Sequence, residues 1–196
     1  MQDRLTRQLE FIREIDKVKS VFRKTWLLDK SRYENDAEHA WHLAVLAAVL
    51  EEYAERPVDI AHVIRMVLVH DLVEIDAGDV MIYHEADRAG QEEKERAAAD
   101  RIFALLPEDQ ARDFRALWDE FEARKTPEAI FARGLDRFAP ILHNFHTQGR
   151  AWREHGVTAE QVRRINQPIR DASATLWQTA SDWIDQAVAN GWLIGP

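Results

Sequence analysis

The segment 66–79, MVLVHDLVEIDAGD, decides the fold, because it places a His-Asp pair at the end of an apolar run. Burying an unpaired charge costs free energy or shifts its pKa, so such a pair is either exposed or bound to something. On a helix with about 100° between successive residues, His70, Asp71 and Glu74 fall within about 100° of one another. They share the apolar stripe that carries Val67, and therefore point inward. An inward group of this kind indicates a metal ion.

The composition favours one helical domain. The chain has 196 residues, of which 46% are hydrophobic and 31% are charged, and it contains 7 Gly and 6 Pro. This is the balance of a globular protein with a full core, and the low Gly and Pro content favours helix over sheet. The formal net charge of -9 argues against a long nucleic-acid partner. A small anionic substrate is still compatible with it, because a metal ion supplies local positive charge.

The sequence also excludes several kinds of site and location. Without cysteine, the chain cannot form disulfides or thiolate zinc sites. Residues 1–7 lack the apolar core of a signal peptide, and the longest unbroken apolar run, 43–50, is too short to span a bilayer. We expect a cytoplasmic protein without a membrane partner.

Hydrophobic periodicity predicts an all-α, compact globular bundle, packed around its second and third helices. The predicted helices cover about 5–22, 36–55, 58–76, 87–106, 107–124, 126–147, 158–168 and 171–190, and 23–34 is predicted as a loop. Asn35 or Asp36 is expected to cap the second helix, and Gly78 to end the third. Thr158 and Gln161 are expected to form a capping box.

Two further polar residues are predicted to face the core. His39 lies in line with Leu43 on the second helix, and Asp136 shares a face of the sixth helix with His143. Pro140 lacks the N–H that would bond the carbonyl of residue 136, so we expect a kink or a freed acceptor beside the aspartate. A lone inward histidine is more often a core residue bonded to a carbonyl, but partners of the right type on facing helices favour a metal ligand.

Together, His39 … His70-Asp71 … Asp136 resembles the signature of the HD-domain metal-dependent phosphohydrolases. The surrounding sequence is similar as well: AEHAWH at 37–42, HDLVE at 70–74 followed by Gly78-Asp79, and LDR at 135–137. The resemblance covers roughly the first three quarters of the chain. It is strongest to the compact bacterial branch that contains the 5'-deoxynucleotidases.

The resemblance implies a single HD domain over 1–196, with a metal-site core at about 30–150 and C-terminal helices 158–190 packed on it. It implies four metal ligands: His39, His70, Asp71 and Asp136. Two imidazoles and two carboxylates suit one divalent ion per chain, namely Mn, Co, Fe, Ni or Zn, with Mg also possible. Such an ion would activate water and polarise a phosphoryl group.

Roles for the residues around the metal follow from the same resemblance. Glu74 would orient the attacking water, and Asp79 would transfer a proton to or from the leaving oxygen. The candidate substrate contacts are Arg23, Lys24, Trp26 and His143. The two cations could clamp a phosphate and the indole could stack on a base, although Trp26 could equally be a loop anchor.

The function implied is a phosphomonoesterase acting on (deoxy)nucleoside 5'-monophosphates, with a small phosphorylated substrate as its partner and a homodimer as its assembly. An HD-type phosphodiesterase or guanosine tetraphosphate hydrolase is a second hypothesis. Diesterases of this kind use extra histidines for a second metal, and His143 and His146 match that pattern poorly. A non-catalytic helical scaffold with a structural metal is the third. Trp177, Trp183 and Trp192 could serve packing or an oligomer surface.

Overall fold

The computed structural model describes residues 2–83 and 90–195 and confirms the all-α class. Its helices are α1 (Gln2–Ile15), α2 (Asp36–Leu50), α3 (Ile60–Val69), α4 (Glu74–Ala77), α5 (Gln91–Phe103), α6 (Glu108–Ala123), α7 (Pro127–His146), α8 (Arg150–Glu154), α9 (Ala159–Ile165), α10 (Pro168–Ala172) and α11 (Ala174–Ala189). Three short 3₁₀ turns lie at Asp16–Ser20, Glu51–Tyr53 and His70–Val73, and two strands are β1 (Phe22–Trp26) and β2 (Tyr33–Asn35). No described helix is long and apolar enough to cross a membrane.

The segment 23–34 was predicted as a loop, and this prediction is wrong, because much of it forms a hairpin. Strands β1 and β2 pair antiparallel with an irregular register, and Phe22 lies opposite Asn35. Strands of five and three residues are too short to show a clear alternation of apolar and polar side chains. The first helix ends at Ile15 and continues only as a 3₁₀ turn, rather than running to residue 22.

The predicted cap at Asn35 is confirmed, and it joins the hairpin directly to α2. The Asn35 side chain accepts a hydrogen bond from the Glu38 N–H at 3.0 Å, and the Glu38 carboxylate accepts one from the Asn35 N–H at 3.2 Å. This reciprocal capping box fixes the entry of α2, so His39 in its first turns has a defined position relative to β2. The predicted box at Thr158 and Gln161 is also present.

The third helix was predicted to be continuous over 58–76, but it is interrupted at the His-Asp pair. Helix α3 starts after the Asp59 cap and ends at Val69, the next four residues form a 3₁₀ turn, and α4 ends at Ala77, followed by Gly78 with φ 76°. The His70 ring supplies a physical reason: its Nδ1 bonds the carbonyl of Val67 at 2.7 Å. In a continued α-helix, that carbonyl would accept from residue 71.

The remaining boundaries differ in smaller ways. The predicted start of the fourth helix, near 87, lies outside the described residues, and α5 is described from Gln91. Helix α7 runs through Pro140 without ending. Helix α8 was missed, since five residues are too few for a periodic pattern. The last helix begins after a Ser173 cap instead of at 171.

The helices that carry the predicted ligands lie at the centre of the core. Helices α2, α3 and α7 pack together around fully buried side chains, including Leu43, Met66 and Leu135. Helix α10 packs closely against α7 at Gly134, where the lack of a side chain permits the approach. A Cβ added at Gly134 would lie 2.1 Å from the Ala172 Cβ. A second apolar cluster joins α1, α5 and α6 to the 3₁₀ turn that follows α3. The turn with the His-Asp pair is therefore held between two cores.

Candidate metal centre and its pocket

Three of the predicted ligands meet where α2, α7 and the 3₁₀ turn converge. His39, His70 and Asp136 are all buried, and their ligand atoms lie within 4.8 Å of one another. Asp136 Oδ1 lies between the two imidazoles, 3.1 Å from His39 Nε2 and 3.8 Å from His70 Nε2. We predicted these three residues from three separate segments of the sequence, and the fold places them together.

The fourth predicted ligand, Asp71, lies beside this group. Its Oδ1 is 3.0 Å from His70 Nε2, and its Oδ2 is 4.0 Å from His39 Nε2. Adjacent residues can share the site because the 3₁₀ turn directs both side chains toward it. Asp71 therefore adjoins the group of His39, His70 and Asp136 through the two histidines.

The imidazoles are oriented by groups behind them. His70 Nδ1 lies 2.7 Å from the carbonyl of Val67, so this nitrogen carries the proton and donates it, and Nε2 faces the cluster. His39 Nδ1 lies 3.5 Å from a carboxylate oxygen of Glu34 on β2. Backing of this kind fixes the tautomer and ring orientation of metal-binding histidines. Glu34 was not identified from the sequence, because it lies in the segment predicted as a loop.

Strong charge coupling holds the cluster together. Burial lowers the pKa of His70, but the Asp71 and Asp136 carboxylates outweigh this effect and raise it to about 10. Burial raises the pKa of Asp136, yet the hydrogen bond with His39 and the nearby His70 and Arg137 side chains bring it well below its usual range. The carboxylates thus stay ionised and favour positive charge at their centre.

A second acidic group adjoins the first through Asp71. Ligand atoms of Asp36, Asp71 and Glu74 also lie within 4.8 Å of one another. Burial and the Asp71 charge raise the pKa of Asp36 to about 7 and that of Glu74 well above its usual value. Burial likewise raises the pKa of Asp79. Asp36 was interpreted only as a cap candidate, although its place three residues before His39 puts it near the same face of α2.

The cluster opens into a cavity of about 810 Å³ that is rich in cationic side chains. His70, Asp71, Glu74, Asp79 and Asp136 line it together with Arg23, Lys24, Arg96, Arg124, Arg133 and Arg137. Burial and the neighbouring Arg133 lower the pKa of Arg137 to about 9. The same lining carries eight carboxylates, so an anionic ligand would depend on the positive charge of a bound metal as well as on these six cations.

Of the predicted substrate contacts, Arg23 and Lys24 lie at this cavity. The Arg23 guanidinium donates to Asp71 Oδ2 at 2.8 Å and lies 3.5 Å from Asp36 Oδ1. It therefore bridges the acidic group and the cavity. Arg133 and Arg137 of α7 line the cavity as well.

The structure does not bring Trp26 or His143 to the cavity. The Trp26 indole N–H donates to Glu154 at 2.7 Å, and the Arg150 guanidinium lies 3.3 Å from the ring centroid. These contacts favour the loop-anchor interpretation of this tryptophan. His143 is buried, with Nδ1 bonded to the Trp26 carbonyl at 2.9 Å. Both residues support the hairpin from outside the cavity lining.

The match to the HD domain family model spans residues 15–177. The chain belongs to the HD domain family. The resemblance inferred from the histidine and aspartate motifs is confirmed.

Relatives of this HD-domain protein are found among both curated sequences and solved structures. The 5'-deoxynucleotidase HDDC2 of Homo sapiens is 34% identical over 138 residues, which are 68% of this chain and 65% of the human protein. The chain thus spans less than two thirds of that relative's length. A predicted metal-dependent phosphohydrolase from Magnetospirillum magnetotacticum MS-1 is 50% identical, with a TM-score of 0.94 over 98% of this chain and 96% of its own.

A more distant neighbour shows the fold alone. The PH0347 protein of Pyrococcus horikoshii OT3 is 21% identical, with a TM-score of 0.61 over 89% of this chain and 99% of its own. Solved structures at 50% and at 21% identity therefore share the fold, and the predicted helical bundle is confirmed.

The residues at the centre fit a divalent metal ion. His70 Nε2, Asp36 Oδ2 and Glu74 Oε2 are buried without a hydrogen-bond partner among the described atoms. Unpaired buried polar atoms are costly, and bound cations would satisfy His70 Nε2 in the first group and the two carboxylate oxygens in the second. The set of two imidazoles and several carboxylates matches the preferences of Mn, Fe, Co, Ni and Zn.

Proposed function

We propose that this HD-domain protein is a metal-dependent phosphomonoesterase that releases phosphate from (deoxy)nucleoside 5'-monophosphates. The observation that carries the proposal is the convergence of His39, His70, Asp71 and Asp136 at a cavity lined by six cationic side chains. The human and Magnetospirillum relatives, named a 5'-deoxynucleotidase and a predicted metal-dependent phosphohydrolase, support the reaction class.

In this proposal the two histidines and two aspartates hold one divalent ion: Mn, Co, Fe, Ni or Zn, with Mg possible. When bound, the ion supplies Lewis acidity for the phosphoryl oxygens. His70 and His39 present Nε2 to it, because the Val67 carbonyl and Glu34 engage their Nδ1 atoms. The buried protein side keeps this geometry rigid.

Glu74 and Asp79 are the proposed proton-handling groups. Both line the cavity, and burial raises the pKa of each, so they can exchange protons nearer to neutral pH than ordinary carboxyls. We assign Glu74 to the attacking water, since it lies one turn beyond His70. Asp79, just past the end of α4, is assigned to the leaving oxygen.

The substrate phosphate is proposed to meet the cationic wall of the cavity. Arg23 and Lys24 of β1 and Arg133 and Arg137 of α7 all line the cavity. Arginine suits this task because its planar fork binds phosphate oxygens in pairs. A small phosphorylated molecule fits the cavity, whereas a long nucleic acid would face the net negative charge of the chain.

One observation favours a diesterase as the second candidate. The Asp36, Asp71 and Glu74 carboxylates could hold a second cation beside the first. An HD-type phosphodiesterase that cleaves cyclic dinucleotides would use such a pair of ions, and a guanosine tetraphosphate hydrolase stays part of this second hypothesis. The scaffold hypothesis predicts metal binding with no turnover of any phosphate ester.

A substrate panel tests the proposal. Purified protein with Mn, Co, Ni, Zn or Mg is incubated with nucleoside 5'-monophosphates, a cyclic dinucleotide and guanosine tetraphosphate, and products are separated by chromatography. The proposal predicts free phosphate and nucleoside from the monophosphates. Cleavage of only the cyclic dinucleotide or the tetraphosphate would support the second candidate, and no turnover with any ion would support the scaffold.

A homodimer is also proposed, and α2 supplies the surface. Trp41, Val45 and Val49 lie four residues apart on this helix and are 65%, 42% and 64% exposed. Trp183 packs on Phe145 at 5.2 Å between ring centroids, so the C-terminal tryptophan packs within the chain. The α2 stripe therefore replaces the C-terminal aromatics as the proposed contact.

The cytoplasmic location and the single-domain division stay predictions.

A further inference from the structure

A second group of ligand-type side chains lies apart from the catalytic cluster. Glu34 of β2, His42 of α2 and His143 of α7 each place a ligand atom within 4.8 Å of the other two. His143 Nε2 is 3.3 Å from His42 Nδ1 and 4.0 Å from Glu34 Oε1. None of the three lines the cavity described above.

The position of this group follows from the packing of α2 against α7. His42 lies three residues after His39 on α2, and His143 lies seven residues after Asp136 on α7. These spacings are close to one and two helical turns, so both helices present a second pair of ligand side chains along the same interface. The contact of His39 with Asp136 is repeated one layer further along as a contact of His42 with His143.

The donor atoms already point at one another. His143 Nδ1 lies 2.9 Å from the Trp26 carbonyl, so it must donate, which leaves the lone pair of Nε2 directed at the group. Glu34 uses one oxygen toward His39 Nδ1 and turns the other toward His143. Burial and His143 lower the pKa of His42, which favours the neutral imidazole that a metal requires.

The spacing matches a small tetrahedral ion. Bonds of about 2.0–2.1 Å from an ion to imidazole nitrogen place tetrahedral ligand atoms about 3.3 Å apart. The two histidine nitrogens are separated by this distance, and Glu34 Oε1, which lies 4.0 Å from His143 Nε2, would move closer on binding. Two imidazoles and one carboxylate form a donor set that suits borderline ions such as Zn and Co better than it suits Mg or Ca.

We propose that Glu34, His42 and His143 form a second metal site, specific for a zinc-class ion and separate from the catalytic centre. The ion would tie β2 to α2 and α7, and His143 would extend the link to β1 through the Trp26 carbonyl. His42 itself is half-buried, while Glu34 and His143 are buried. Glu34 connects this structural site to the catalytic one, because it also backs His39.

Metal counting tests the site. The full-length protein is stripped with a chelator, reloaded with a modest excess of Zn²⁺, desalted and measured by plasma mass spectrometry. We expect His42→Gln to bind one zinc ion fewer per chain than the wild type. His62→Gln is the matched control, since His62 is a partly buried histidine paired with Glu120 elsewhere, and it should keep the wild-type count.

Two results would overturn the proposal. The first is an equal zinc count in wild type and a His42→Gln variant whose circular dichroism shows the native helix content. The second, which needs no variant, comes from crystals of the zinc-loaded wild type: no anomalous peak at the zinc edge between the three side chains. Either result would leave the contact as a hydrogen bond between two histidines. A peak bonded to all three would establish the site.

Discussion

His70 determines both a change in backbone and the direction of a ligand. Its Nδ1 engages the Val67 carbonyl where α3 ends, and the same bond turns Nε2 toward Asp136. The tautomer of His70 is therefore fixed by a carbonyl of α3, the helix that directly precedes it.

Asp36 gives a pH prediction for the metal-free protein. Burial and Asp71 raise its pKa to about 7 in the folded state, so ionising it costs folding free energy. Its destabilisation is absent below the ordinary aspartate pKa, grows as the pH rises from there to about 7, and is constant above it. Asp36→Asn should therefore gain stability over the wild type between pH 5 and pH 8, by a few kcal/mol. Urea unfolding at several pH values measures this.

The exposed Asp113 supplies the control for that series. Asp113→Asn should follow the wild-type pH dependence. A constant difference between Asp36→Asn and the wild type at all pH values would contradict the assigned cause.

Arg137 tests the cationic wall of the cavity. Loss of a charge-assisted hydrogen bond to phosphate costs about 1.5–3 kcal/mol, so Arg137→Gln should raise KM for a nucleoside monophosphate about 10- to 100-fold. Steady-state kinetics with Arg170→Gln, an exposed arginine of α10, as control would measure the effect. An unchanged KM would remove Arg137 from the substrate site.

At the scale of elements, the capping box between β2 and α2 deserves a stability test. Asn35→Ala removes the acceptor for the Glu38 N–H, and such losses cost about 1 kcal/mol. Because α2 carries His39, metal affinity should fall together with stability. Thermal unfolding with and without Zn²⁺ checks both effects. Thr175→Ala, which lies in the first turn of α11 away from the site, should change neither one much.

Helix packing at Gly134 gives a sharper prediction. A Cβ at this position would overlap the Ala172 Cβ, so Gly134→Ala must push α10 away from α7 and should cost about 1–3 kcal/mol. Gly195→Ala, where a Cβ would lie 3.5 Å from Val188, should be close to neutral. Denaturant unfolding compares the two variants. Equal stability of both would show that the helices adjust freely.

The sequence allowed the long helices and the inward faces of His39 and Asp136 to be predicted, for one physical reason, whereas the four-ligand set was implied by the family resemblance. The spacing of residues along a helix determines which face each side chain occupies. His39 and Asp136 could therefore be assigned to inward faces before any contact was known. The hairpin depends on pairing between two short strands, and the 3₁₀ turn at His70 depends on a single side-chain hydrogen bond. Neither feature produces a periodic pattern in the sequence. Asp36, Glu34 and the arginines of α7 were missed as site residues because tertiary packing brings them there.

At the scale of the whole molecule, the exposed stripe on α2 predicts the assembly. Val49 is 64% exposed, and a charge there would oppose burial in an interface. Sedimentation velocity should show a dimer for the wild type and a shift toward monomer for Val49→Glu. Glu93→Lys, a change of charge on exposed α5, should leave the dimer intact. A monomeric wild type at micromolar concentration would contradict the proposed surface.

The central claim is that His70 and its three partners hold the ion on which phosphate release depends. The most direct measurement is phosphate release from deoxyadenosine monophosphate by chelator-treated protein, by the same protein reloaded with Mn²⁺ or Co²⁺, and by reloaded His70→Ala. We predict no release without metal, recovery on reloading, and a loss of about 100-fold or more in the variant. Full activity in His70→Ala, or in the metal-free protein, would contradict the account.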